Sequence, residues 1–196
     1  TKTGRPDIRA AQQSLGMAWL EDARLSGEQH KFSDITGKVV AVLDRAVSTA
    51  TGSRKADLLA HLGWAEFLRS RDGVSTSPPD DLYRRALAID ARNPYAHAML
   101  GHWILWNGGR ITDARQEFSQ ALNAGRAHDF ARQLQLAALQ NTHTDDAEAE
   151  LIRTANDMRK ANEPVDSRTL GRIWAIYYFR LGSNARESER LLAALP

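Results

Sequence analysis

The sequence predicts an all-α protein, a superhelical array of antiparallel helix pairs of the α-solenoid type. Three observations predict it. Two stretches repeat one pattern about 38 residues apart. The first reads Leu62-Gly63, Tyr83, Ala86-Leu87, Asp90 and Asn93-Pro94; the second reads Leu100-Gly101, Phe118 and Ala121-Leu122. Apolar residues recur at helical spacing, with turn signals between the runs. No stretch alternates as a strand between hairpin turns.

The elements follow in order. The predicted first helix covers about Pro6 to Leu25, with Leu15, Trp19 and Leu20 on one side, and breaks at Ser26-Gly27. The second runs from about Ser33 to Thr49 and carries Val39, Val40, Leu43 and Val47. Thr51-Gly52-Ser53 separates it from the third, about Arg54 to Arg71, with Leu58, Leu59, Leu62 and Phe67. Asp72-Gly73 and the diproline Pro78-Pro79 then demand a loop, and the fourth helix runs from about Pro79 to Ile89. Asn93 caps the fifth helix, with Pro94 at its first position, and Asn107-Gly108-Gly109 stops it. The sixth begins at Ile111 or Thr112 and ends near Ala124-Gly125. The seventh runs from about His128 to Gln140, the eighth from about Thr144 to Ala161, the ninth from about Asp166 to Leu181 and the tenth from about Asn184 to Leu195. The result is five pairs in a single domain, residues 6–50, 54–91, 93–124, 126–162 and 166–195. Short loops suit antiparallel neighbours.

Composition bounds the function. The 196 residues suffice for one domain with a substantial core, and 42% hydrophobic content predicts folding rather than disorder. Without cysteine there is no disulfide, thiolate metal site or cysteine nucleophile. No apolar run approaches the roughly 18 residues that span a bilayer, so membrane insertion is not expected. Thr1-Lys2-Thr3-Gly4 has no apolar signal core and no initiating Met, so an excised or processed piece is expected. The 26 basic and 24 acidic groups are interspersed, and no Lys/Arg block marks a nucleic-acid track. Most basic groups are Arg, which we read as the mark of a GC-rich bacterial genome.

No catalytic or metal motif emerges, and neither an enzyme nor a cofactor is expected. Of the six histidines, His97 and His102 share a predicted helix at a spacing unsuited to one metal ion, and no His-Glu-x-x-His occurs. Asp80-Asp81 and Asp145-Asp146 sit at helix starts, where carboxylates cap amides and complement the dipole. Gly108-Gly109 is a helix stop, since no Gly-x-x-x-x-Gly-Lys surrounds it. Ser14, Ser26 and Ser188 have no base at recognisable spacing.

The segment from Asn93 to Asn123 resembles the tetratricopeptide repeat. Leu100-Gly101 matches that family's close helix crossing, Gly108 its turn, Ala114 and Ala121 its small contacts, and Phe118 its aromatic wedge. Arg84 to Pro94 resembles the family's junction between repeats. The last pair matches through Ala175, Tyr178, Gly182, Leu191 and Ala194. The second pair matches with a longer turn, and the first, from Leu15-Gly16 to Leu43 and Ala46, with a much longer one. The fourth is degenerate, with Gln135 or Leu136 in the glycine's place. The packing logic is physical: only Gly or Ala lets two backbones approach closely, and a ring then fills the groove beside them.

The resemblance implies a non-catalytic module that binds a protein or peptide segment in a concave groove, with no direct nucleic-acid contact. The groove positions that it implies are Trp64, Phe67 and Leu68; His102, Leu105 and Trp106; and Ile176, Phe179 and Arg180. These are aromatic and aliphatic rather than the basic, amide-rich clamp that the family uses for a terminal carboxylate. Trp103 and Trp174 are expected in the core, whereas Trp64, His102 and Trp106 suit groove and core equally. The alternative is a sensory, regulatory or self-associating segment of a larger transcriptional or signalling protein. The C-terminal run Leu191-Leu192-Ala193-Ala194-Leu195 admits a homodimer contact, while Arg186, Glu187, Glu189 and Arg190 supply a polar side that would cap the array.

Overall fold

The computed structural model describes residues 29–75 and 77–181, with side chains from 32 to 178. Among the described residues there are eight helices and no strand, so the protein is all-α. They are α1 (Gln29–Thr49), α2 (Gly52–Arg71), α3 (Asp80–Ile89), α4 (Pro94–Trp106), α5 (Ile111–Leu122), α6 (His128–Asn141), α7 (Asp145–Lys160) and α8 (Ser167–Leu181). The predicted first and tenth helices lie outside the described residues. The predicted second helix corresponds to α1 and ends at Thr49, as expected.

Local chemistry sets the helix ends. Asn93 caps α4: its Oδ1 accepts the Ala96 amide at 2.9 Å, and Pro94 follows at the first helical position. Thr144 caps α7 through the Ala147 amide at 3.3 Å. Asp166 caps α8 through the Thr169 amide at 2.9 Å. Three helices end in Schellman turns. After α4, Gly109 N–H reaches the Ile104 carbonyl and Gly108 N–H the Leu105 carbonyl, with Gly108 at φ 72°. Gly73 does the same after α2, and Asn162, at φ 57°, after α7.

The chain divides into two compact units, residues 1–96 and 97–196. In the first, α1 packs on α2 and α2 on α3. Its interior holds Phe32, Leu59, Leu62, Phe67 and the fully buried ring of Tyr83. Gly63 of α2 faces that ring, and an added Cβ would meet Tyr83 Cε1 at 2.5 Å. Asp57 of α2 is tied to the α4 cap, since Asn93 Nδ2 donates to its Oδ1 at 2.6 Å.

In the second unit, Gly101 of α4 faces α5, and an added Cβ would lie 3.1 Å from Phe118 Cε2 and 3.2 Å from the Ala114 carbonyl oxygen. Each of α5, α6 and α7 packs on its successor, and α5 also meets α7 as α6 meets α8. Leu105, Phe118, Leu136, Leu139, Leu151, Met158, Ile173 and Ile176 fill the core. Polar ties connect the layers. The Gln140 amide donates to Thr169 Oγ1 at 2.7 Å, and that hydroxyl donates to Asp166 at 2.6 Å.

Candidate functional site

The predicted groove residues divide sharply by burial. In the first unit, Phe67 and Leu68 are buried and Trp64 is half-buried. Trp64 and Phe67 touch as tilted rings, 4.9 Å between centroids. In the second unit, His102 and Leu105 are buried on α4, and Ile176 is buried on α8. Phe179 and Arg180 lie outside the described side chains. Trp106 remains 49% exposed, its ring nearly parallel to that of His102 (13° between planes, 6.3 Å between centroids). The burial follows from helix geometry: positions after each small residue continue the stripe that packs inward, and only the last turn of α4 reaches solvent.

Trp174 departs from expectation. It is 51% exposed instead of lying in the core, and it stacks on Tyr178, itself 61% exposed, at 5.2 Å. Ile173, Ile176 and Thr169 are the residues that α8 turns inward. At 100° per residue, Trp174 and Tyr178 fall on the opposite side. Trp103 is half-buried.

The histidines with described contacts are held in structural ones. His61 Nδ1–H donates to the Asp57 carbonyl at 2.7 Å, and its ring lies 4.8 Å from that of Tyr95. Burial lowers its pKa, against the opposing pull of the Asp57 carbonyl and carboxylate. His97 Nδ1 lies 2.6 Å from Glu117 Oε2, tying α4 to α5. Arg172 donates to His143 at 2.9 Å and to Glu148 at 3.0 Å. Among the described residues no cluster of His, Cys, Asp or Glu is placed to hold a metal ion. No helix among them is long and apolar enough to cross a membrane.

The structure adds a charged cluster that sequence reasoning missed. Glu150 of α7 is buried and lies between Arg115 of α5 and Arg153 of its own helix. Its hydrogen bonds hold the Arg115 guanidinium above its ordinary pKa. The Glu150/Arg153 spacing is a legible helical pair, but Arg115 is 35 residues away and carries no local mark of its role. No protein-family model, curated protein or solved structure matches the chain.

Proposed function

We propose that this chain is a non-catalytic protein-interaction module, built as a tetratricopeptide-like array, that takes a protein or peptide segment against the end of α4. The contacts of Gly63 with Tyr83 and of Gly101 with Phe118 support the array. Each pairs a glycine on one helix with a ring on the next, and each ring is followed three residues later by a buried alanine, Ala86 or Ala121. The second-neighbour packing of α5 on α7 and of α6 on α8 is compatible with a stack of helix pairs.

The observation that carries the binding reading is Trp106. A tryptophan half in water is a poor use of a large ring unless something covers it, and its stacking on buried His102 holds it in place beforehand. Rigid aromatic anchors of this kind dominate binding energy at protein interfaces. The test is capture of partners by the whole chain, compared with Trp106→Ala. The variant should lose the captured protein and keep its thermal midpoint. Unchanged capture, or a loss that merely tracks unfolding, would defeat the assignment.

A second reading is self-association, as a segment of a larger regulatory protein. The exposed Trp174–Tyr178 stack favours it. Light scattering against concentration decides this: a dimer abolished by Trp174→Glu supports the reading, and a strict monomer removes it.

A further inference from the structure

We propose that Arg115 and Arg153, on α5 and α7, form a receptor for a carboxylate on an acidic segment of a partner protein. The proposal deepens the interaction-module reading and rests on it. A buried carboxylate such as Glu150 must be neutralised and hydrogen-bonded. Arg115 alone achieves this. Its Nε donates to Oε1 at 2.9 Å and its Nη2 to Oε2 at 2.5 Å, the two-pronged geometry in which guanidinium and carboxylate fit best.

Arg153 adds a second guanidinium, whose Nη2 donates to both oxygens of the same carboxylate. Neither arginine has another hydrogen bond or ion pair among the described residues. Two cations therefore share one anion, and a local positive charge is left over. Both side chains are open to solvent, Arg115 by 41% and Arg153 by 47%.

The geometry makes this surplus useful. Nη1 of Arg115, and Nε and Nη1 of Arg153, take no part in the bonds to Glu150 and remain as donors. Glu150 fixes both guanidiniums, so little side-chain freedom is lost when an anion arrives. An incoming carboxylate would also relieve the repulsion between the two cations. The site uses the second helices of adjacent pairs, not the groove positions on the first helices. It is thus a contact separate from Trp106.

The experiment titrates the full chain with a short Glu-rich peptide and, separately, with inorganic phosphate, at constant ionic strength. Wild type, Arg153→Gln and Arg159→Gln are compared, with circular dichroism confirming the fold of each. Arg153→Gln leaves the Arg115–Glu150 fork intact. Arg159 is exposed on the same helix and serves as the charge control. The peptide should bind, and Arg153→Gln should weaken it by about tenfold while Arg159→Gln changes it by less than about twofold. Equal weakening by both variants, no peptide binding, or binding of phosphate alone would each overturn the proposal. Trp106-dependent capture is a separate readout. If it persists while the peptide fails, this site falls and the module reading stands. If capture fails while the peptide binds at Arg153, the α4 assignment falls instead.

Discussion

Gly63 and Tyr83 are in such close contact that a single methyl group could not be placed between them. A Cβ on Gly63 would come within 2.5 Å of Cε1 and 2.9 Å of Cδ1, and the ring is fully buried. Helix α2 can approach α3 only because this residue lacks a side chain. The same relation recurs between Gly101 and Phe118, with slightly more room.

Gly63→Ala should therefore destabilise the protein by about 1 to 3 kcal/mol through overpacking. Gly101→Ala should cost less, because its Cβ contacts begin at 3.1 Å, whereas Gly101→Leu should cost at least as much as Gly63→Ala. Denaturant midpoints check the order. A Gly101→Leu protein with an unchanged midpoint would show that this crossing is not tight.

Tyr83→Phe should be neutral or stabilising. The Tyr83 hydroxyl is buried with no hydrogen-bond partner among the described residues. Burial, with a smaller contribution from the Asp80 charge, drives its pKa well above the ordinary value. An unsatisfied buried hydroxyl costs about 1 to 3 kcal/mol, and Phe keeps the ring that Gly63 requires. Tyr83→Ala should instead cost about 3 to 5 kcal/mol. A thermal midpoint that falls in Tyr83→Phe as far as in Tyr83→Ala would mean that the hydroxyl is satisfied after all.

Arg115→Ala should destabilise far more than Arg153→Ala. The first removes the two-pronged partner of buried Glu150 and leaves it the single Nη2 of Arg153, so the loss stays below the about 3 to 5 kcal/mol of a buried charge left wholly unpaired. The second leaves that pair in place. The double variant Arg115→Met/Glu150→Leu should recover much of the loss, because the buried carboxylate is removed together with its two-pronged partner. Additive losses in the double-mutant cycle would contradict this account.

His61 should make stability depend on pH. Its folded pKa lies below the unfolded value of 6.5, so the unfolded chain binds more protons in that window. The contribution of the neutral ring is complete above pH 6.5 and declines as pH falls through the window towards the folded pKa. His61→Gln should flatten this slope. Unfolding measured between neutral and mildly acidic pH tests it, and an identical slope in the variant would assign the dependence to other groups.

Much of the helix pattern was legible because helix ends are local. Asn93-Pro94 starts α4 and Gly108-Gly109 stops it for reasons contained within a few residues: a side-chain cap, a fixed φ and a positive φ. The repeated glycine and aromatic spacing likewise pointed to the contacts of Gly63 with Tyr83 and of Gly101 with Phe118.

The candidate site was legible only in part. Trp64 and His102 occupy matching positions after their small residues, as Leu68 and Trp106 do, yet Trp64 is half-buried and His102 buried, and Leu68 is buried and Trp106 exposed. Trp174 looked like core and is half in water. Sequence by itself determined the helices among the described residues and most of their stops, because backbone preferences act over a turn or two. Only the tertiary structure decided which aromatic faces meet solvent and that Arg115 closes on Glu150. Burial and ion pairing depend on what lies across the interface, and residues 35 positions apart share no local energy term until the chain has packed.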